Sequence, residues 1–305
     1  MTGRRPVVCA VVASLDPGPE LVDTARGVLR QVDALVVVDD GSTSGAEVFD
    51  ELEMTGAIVV HQRNSGIAGA LNAGIAEARR RSRPELLLTL DQDSRPVDDY
   101  VARAVAAWQE ARRRGVGVAF VSAGSYSGHA TPTDGSVAGL ARAFDPMQSG
   151  WLVPASTFDA VGPFETDFVI DGVDSEFTAR CRSVGLDPVV GPGCALEHGQ
   201  GKRLPAVLFG RRVRARGGDV SYNRHLPVRV FYLTRNGTLI TRRHLGGQPR
   251  WVLRRLVEEA RAHLLRLAFS PDRALLLRAM AAGWREGLAG RTGRIPVEVQ
   301  RSLDR

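Results

Sequence analysis

The sequence predicts an α/β protein built on a doubly wound, mostly parallel sheet. Three observations predict it. Short apolar strands alternate with helix-like stretches through the first part of the chain, the order that produces parallel sheets. The strand runs are continuous in Val, Leu and Ile, so helices must bury both of their faces. Acids stand at the ends of those strands, at Asp39, Asp40, Asp91 and Asp93, where open α/β sheets bind ligands.

The elements follow in order. "VVCAVVAS" reads as a strand, stopped by the turn residues Asp16-Pro17-Gly18-Pro19. "ELVDTARGVLRQV" has helical spacing, and "ALVVVDDGS" is a strand ending in two acids. "GAEVFDELEMTG" is a helix with a glycine stop, and "AIVVHQR" is a third strand. "GIAGALNAGIAEARRR" is a helix and "ELLLTLDQDS" a fourth strand. A helix over 100–114 and the strand "GVGVAFVSAG" come next. Residues 125–149 are rich in Gly, Ser, Thr and Pro and read as loop or irregular strand. "DSEFTARCRSVG" is a helix capped near Asp174 with Gly185 at its end, and "DPVVGPGCALEHGQG" is a short strand region. After Gln200 the pattern becomes arginine-studded helices. With no repeats or long linkers, the expectation is one catalytic domain over 1–205 and a helical extension over 206–305.

The 305 residues are 44% hydrophobic and 24% charged, as for a globular protein with a core. No apolar run approaches the about 18–20 residues of a spanning helix. The start has no secretory pattern, so a cytoplasmic protein is expected. Three distant cysteines without C-x-x-C spacing read as buried thiols, neither a disulfide framework nor a zinc site. The net charge of +6 conceals a division. Residues 1–199 hold 17 basic and 27 acidic side chains; residues 200–305 hold 23 and 7. The first part is therefore near −10 and the last near +16, which suggests two tasks.

The strand ends carry the chemistry. Residues i and i+2 of a strand point the same way, so Asp91 and Asp93 face one point. Two hard oxygen donors there suit Mg²⁺ or Mn²⁺, with other ligands drawn from a diphosphate. Taken alone, D-x-D before Ser94 and Pro96 is equally turn chemistry. Asp39 and Asp40 can accept hydrogen bonds from a nucleoside, or can form a turn and cap. "NSGIAGALN" has small residues where a backbone approaches something closely. Asn64, Gly66 and Asn72 are its ligand candidates, while Gly69 and Gly74 serve helix–sheet packing equally well. Neither GxGxxG nor GxxxxGK[ST] is present. Asp171, Asp174 and Glu176 precede Arg180, and a carboxylate at a helix N-terminus is held ionised and placed to act as a base. His198 stands alone in "LEHGQG".

As a set, "VVVDDGS", "NSGIAGALNAGI", "LLLTLDQDS", "VIDGVDSEFTARCRSVG" and "LEHGQG" resemble the glycosyltransferase family 2 enzymes, and most of all the bacterial rhamnosyltransferase branch. The resemblance runs from Val7 to about His244. It implies a GT-A fold and an inverting transfer from a nucleotide-diphosphate sugar to a glycan or lipid-linked acceptor, with L-rhamnose from dTDP-rhamnose as the expected donor in cell-surface polysaccharide synthesis. It implies that Asp39, Asp40, Asn64, Gly66, Asn72 and Asp91 meet the nucleotide sugar. Asp91, Asp93 and His198 would hold the metal, and Asp174 would be the base. Tyr232, Arg235 and Asn236 resemble a segment after the catalytic core. The chain departs from this branch at Ser14-Leu15-Asp16-Pro17, where Thr-Tyr-Asn-Pro is frequent. It also lacks a Glu-Asp dipeptide before Arg180, so the base is assigned by spacing. The absence of Q-x-x-R-W disfavours processive synthases.

The basic last third reads as amphipathic helices, with Leu253, Leu256, Ala260, Leu264 and Leu267 at helical spacing. Such helices either lie on anionic membrane at the inner face of the cell or pack on the catalytic domain or a second subunit. Three other classes compete. A sugar nucleotidyltransferase would need a glycine-rich basic loop that "VVASLDPGPE" does not supply. A nucleic-acid binder would leave the acidic strand ends unexplained, so no nucleic acid is expected. A non-catalytic glycosyltransferase-like scaffold is the third.

Overall fold

The computed structural model describes residues 4–199, 203–208, 211–215 and 218–303. The chain packs as two units: 1–169 with 173–199, and 170–172 with 200–305.

In the first unit the predicted alternation holds. Strand β1 (Val8–Ser14) is followed by α1 (Glu20–Leu29), β2 (Ala34–Asp39), α2 (Ala46–Met54), β3 (Ile58–His61), α3 (Ile67–Ser82) and β4 (Leu86–Asp91). Then come β5 (Ser94–Pro96), α4 (Tyr100–Arg113), β6 (Val118–Ser122), β7 (Ser125–Tyr126), β8 (His129–Ala130), β9 (Thr133–Val137), β10 (Leu140–Ala143) and β11 (Trp151–Pro154). α5 (Ala155–Val161), a 3₁₀ turn (Thr166–Phe168), α6 (Val173–Ser183), β12 (Asp187–Val190) and β13 (Ala195–His198) complete it.

Nine strands form one sheet in the order β3-β2-β1-β4-β11-β6-β12-β10-β9. The first four are mutually parallel, β11 runs antiparallel between β4 and β6, and β12 is parallel to β6. The sequence explains the burial. Val8, Ala10 and Val12 of β1 enter one core with residues of α1, α2 and α4. The alternate residue Val11 meets α3 on the other face, where a side chain at Gly74 would collide with Val11 and Val38. Gly74 therefore serves helix–sheet packing. Beyond β11 the core is aromatic: Phe120 stacks on Trp151 at 3.8 Å, beside Phe158, Phe164 and Phe177. The Gly/Ser/Thr-rich stretch 125–149 forms β7 to β10, short strands with exposed turns. The three cysteines are buried and free, and burial pushes the Cys181 and Cys194 thiols up to about 12.

Register decides where the site lies. Ser14 pairs with Asp39, Ala13 with Asp91, and Asp39 with His61. The carboxyl ends of four strands are thus level. A small sheet, β5-β13-β7-β8, brings His198 opposite Ser94.

The second unit differs from expectation at its start. Helix does not begin after Gln200. Instead Arg203–Pro205 pairs with Ser221–Asn223, Val207–Leu208 with Arg211–Arg212, and Arg214–Ala215 with Gly218–Asp219. These residues have no helical period in the sequence. Helices α7 (Pro227–His244), α8 (Pro249–Phe269), α9 (Arg273–Leu288) and α10 (Val297–Leu303) follow. α9 lies close on α7 because it has glycine at the contact: a Cβ on Gly283 would stand 2.5 Å from the Phe231 carbonyl oxygen. Arg235 and Asn236 of α7 are fully buried, and the Asn236 amide donates to the carbonyls of Ile170 (3.0 Å) and Asp171 (2.7 Å). No helix among the described residues is long and apolar enough to cross a membrane.

Candidate active site

Asp91 ends β4 and Asp93 follows in the turn to β5. Their ligand atoms and those of His198 all lie within 4.8 Å of one another. The intervening Gln92, the first residue of that turn, is engaged by the end of β1. Its Oε1 accepts from Ser14 Oγ at 3.0 Å and from the Leu15 amide at 2.8 Å, tying the end of β4 to the end of β1. The middle residue of D-Q-D thus anchors the two acids beside it.

A segment distant in sequence supports the group from below. The Asp91 amide donates to Ser149 Oγ at 3.0 Å, and Ser149 Oγ donates to Ser94 Oγ at 2.7 Å. Ser94 Oγ lies 2.8 Å from His198 Nδ1, itself 3.3 Å from Asp93 Oδ1. The buried Gln148 amide donates to Asp91 Oδ1. Tyr126 holds this segment through the Met147 and Ser149 carbonyls at 3.0 and 3.2 Å. Burial, then the charges of Asp93 and Asp174, push the Asp91 carboxyl up to about 7 against the Gln148 hydrogen bond. Asp174 is therefore electrostatically part of the group. It sits in the first turn of α6, where its Oδ1 accepts from the Ser175 amide at 2.9 Å.

The charges of Asp93 and Asp174 oppose that of Asp91, a repulsion that a cation held by Asp91, Asp93 and His198 would relieve. The donor set fits a hard divalent ion, and the imidazole favours Mn²⁺ over Mg²⁺. Because ligands are oriented by the groups behind them, Gln148→Met is expected to weaken Mn²⁺ binding about 10–100-fold with little change in melting temperature. Paramagnetic resonance of free Mn²⁺ checks this, and unchanged affinity would leave Gln148 a packing residue.

The remaining sequence candidates divide. Asp39 is buried at the end of β2, accepting from the Ser42 amide and from His61 Nδ1, both at 2.8 Å. Burial works against its charge, but the bonds from His61 and Ser42 outweigh it and hold the carboxyl below its usual range. Asp40 turns away to the 62–66 loop. It accepts from Gln62 Nε2 (2.7 Å), the Ser65 amide (2.8 Å) and the Gly66 amide (2.9 Å). Its geometry is that of a loop anchor and a remote cap for α3. Asn72, within α3, is engaged by backbone: its amide donates to the Phe164 carbonyl and accepts from the Phe164 amide, both at 2.9 Å. Asn64 stands exposed on the loop that Asp40 holds.

Gly66 is required by the backbone. Its φ of 82° and ψ of 167° lie in a region essentially closed to other residues, and a Cβ would stand 2.5 Å from the Val169 carbonyl oxygen. Gly66→Ala is expected to cost roughly 1–3 kcal/mol, read as a lower midpoint in urea unfolding.

Two acids near Asp174 are committed elsewhere. Buried Glu176 takes Arg180 Nε on both oxygens at 2.9 and 2.8 Å, and Arg180 also donates to the Val161 and Pro163 carbonyls. Asp171, at a φ of 61°, pairs with Arg229 at 2.9 Å. At the departure from the Thr-Tyr-Asn-Pro pattern, Asp16 Oδ1 accepts from the Thr43 and Ser44 amides at 2.7 and 2.9 Å. Asp16 thus closes the turn after β2. Gln92, Gln148, Ser149 and Ser94 were not legible as site residues. Gln92 could have been found, since it lies between the two acids; Gln148 and Ser149 carry no local signal.

An α/β sheet with acids gathered at the carboxyl ends of its parallel strands, and an Asp-x-Asp group meeting a histidine, has the architecture of a GT-A glycosyltransferase. The model of "Glycosyl transferase family 2" matches residues 9–164, just over half of the chain. The chain belongs to that family. The dTDP-rhamnosyl transferase RfbF of Shigella flexneri is 24% identical over 254 residues, spanning 78% of this chain and 80% of that protein. Among solved structures, S. aureus TarS 1-349 in complex with UDP-GlcNAc is similar with a TM-score of 0.51 and 12% identity, over 93% of this chain and 92% of that one. GalNAc-T7 with UDP, GalNAc and Mn²⁺ gives 0.57 and 11% over 93% of this chain. The chain spans about half the length of full TarS (50%) and of GalNAc-T7 (56%). At these identities the structures speak to the fold alone.

Proposed function

We propose that the protein is an inverting glycosyltransferase that moves a sugar, L-rhamnose from dTDP-rhamnose, to a hydroxyl of a glycan or lipid-linked acceptor in cell-surface polysaccharide synthesis. The observation that carries the transfer is the meeting of Asp91, Asp93 and His198 within 4.8 Å, with the charge of Asp174 reaching Asp91. Asp91, Asp93 and His198 would hold Mn²⁺ or Mg²⁺. When bound, the cation neutralises charge on the donor diphosphate.

The chain's residues perform the rest. Asp39 and the Asn64–Gly66 loop, which Asp40 holds in shape, bind the nucleoside side of the donor. Asp174 takes the proton of the acceptor hydroxyl as that oxygen attacks the anomeric carbon. The bond to the acceptor forms as the bond to the nucleoside diphosphate breaks, and one displacement inverts the centre. No covalent intermediate is needed. The rhamnosyl assignment is supported by the relative from Shigella flexneri.

A panel of nucleotide sugars tests the reading, scored with Mn²⁺ for binding and for slow donor hydrolysis. Preferential binding and hydrolysis of dTDP-rhamnose is expected. Preference for another donor would replace the sugar and keep the reaction. Binding of none would return the chain to the non-catalytic scaffold.

A further inference from the structure

Helices α8 and α9 turn apolar stripes outward. On α9, Ala274, Leu277, Ala281, Trp284 and Leu288 are all exposed. They step by three and four residues, so they line one face. Leu277 and Trp284 are 53% and 59% exposed. The opposite face, with Leu276, Ala279, Gly283 and Gly287, is buried. At 3.6 residues per turn, Arg278 and Arg285 fall along one flank of the stripe and Arg273 along the other, all three exposed. The one carboxylate of the helix, Glu286, is buried and held by Arg291 at 2.5 Å. The outward face is therefore apolar at its centre, basic at both edges and without acid.

α8 also turns an apolar stripe outward, and its exposed acid Glu258 is paired with Arg254 at 3.1 Å. Leu253, Val257, Ala260, Leu264 and Ala268 are exposed on one face, with Arg250 and Arg261 beside them. The same helix buries Trp251, Val252, Arg255 and Arg266. A helix packed only into a soluble core buries its leucines and exposes its arginines; here Leu264 is 67% exposed. Arg250, Arg261 and Arg278 have no ion-pair partner among the described residues.

We propose that these faces of α8 and α9 dock on an anionic lipid surface. The apolar stripes enter the headgroup–acyl boundary and the flanking arginines meet lipid phosphates. Charge selects this occupant. A symmetric contact with a second copy sets each arginine-edged face against its equal, and like charges across an interface are penalised. Residues 200–305 hold 23 basic and 7 acidic side chains, so an anionic surface neutralises what a second copy would repeat. Trp284, with its amphipathic ring, suits the interface. The inference stands on these helices and is independent of the sugar transferred.

Brominated lipid tests it on the full chain. Trp108, Trp151 and Trp251 are only 9%, 0% and 5% exposed, so quenching reports Trp284. Vesicles of brominated phosphatidylcholine containing phosphatidylglycerol are expected to quench the fluorescence and float the protein, while phosphatidylcholine alone does neither. Leu277→Ser with Trp284→Ser is expected to reduce flotation at least tenfold. Arg278→Gln with Arg285→Gln is expected to reduce it by roughly fivefold per arginine, with melting curves unchanged. Absence of phosphatidylglycerol-dependent quenching and flotation would overturn the proposal. So would a lipid-free dimer, seen by light scattering, that the stripe variant dissociates; a head-to-tail contact with the acidic first part of another copy would also appear there.

Discussion

Asp174→Asn is expected to keep the nucleotide sugar bound and to lower turnover by about 10²–10⁴-fold, the range a positioned general base contributes. The substitution preserves shape, and an Asn Oδ1 can still accept from the Ser175 amide as Asp174 does at 2.9 Å. What it removes is the capacity to take a proton. The acids next to it in sequence are engaged elsewhere, Glu176 by Arg180 and Asp171 by Arg229. Donor affinity by calorimetry and turnover by nucleoside diphosphate release separate the two effects. Near-normal turnover would move the base elsewhere; lost donor affinity would make Asp174 a binding residue.

Asp91→Asn is expected to abolish Mn²⁺-dependent donor binding and to raise the melting temperature of the metal-free protein. The two effects have one cause. Asp91 is raised to about 7 by burial and by the charges of Asp93 and Asp174, so the folded protein holds this proton more tightly than the unfolded chain does. Its contribution to stability therefore falls as pH rises from the ordinary carboxylate value, and the penalty is fully developed above about 7. The amide carries no charge and can still accept from Gln148. The gain in melting temperature is expected at pH 8 and should vanish near pH 4, at about 2–4 °C for each kcal/mol relieved. Mn²⁺ should raise the melting temperature of the parent protein and leave that of the variant unchanged. A variant that melts lower at pH 8, or still responds to Mn²⁺, would show that Asp91 is not the crowded metal-facing carboxylate.

The acids were legible because a strand alternates. Alternation anticipated the meeting of Asp91 and Asp93, but only Asp91 lies in the strand; Asp93 reaches the same point from the turn to β5. His198 was legible only as part of an ordered set, since a lone histidine has no local signal. Asp40 and Asn72 show the limit. Both stand in matching motifs, yet Asp40 is filled by the amides of the 62–66 loop and Asn72 by the Phe164 backbone. Whether a short polar side chain binds a ligand or a loop depends on which backbone amides lie within reach, and that is set by contacts distant along the chain. Gln148, which donates to Asp91 across 57 residues, is the converse case.

By itself the sequence determined the strand–helix alternation, the burial of the strands on both faces, the carboxylates at their ends and the separation of an acidic first two-thirds from a basic last third. Local propensity, hydrophobic period and charge act within a few residues or sum along the chain, so they can be read without coordinates. Only the tertiary structure decided which acids share a site, which are spent on loops, and what holds Asp91 from behind. It also decided that Leu253 and Leu264 of α8 face outward while Arg255 and Arg266 are buried. A helical period tells that a helix has two faces; which face is covered depends on what packs against it.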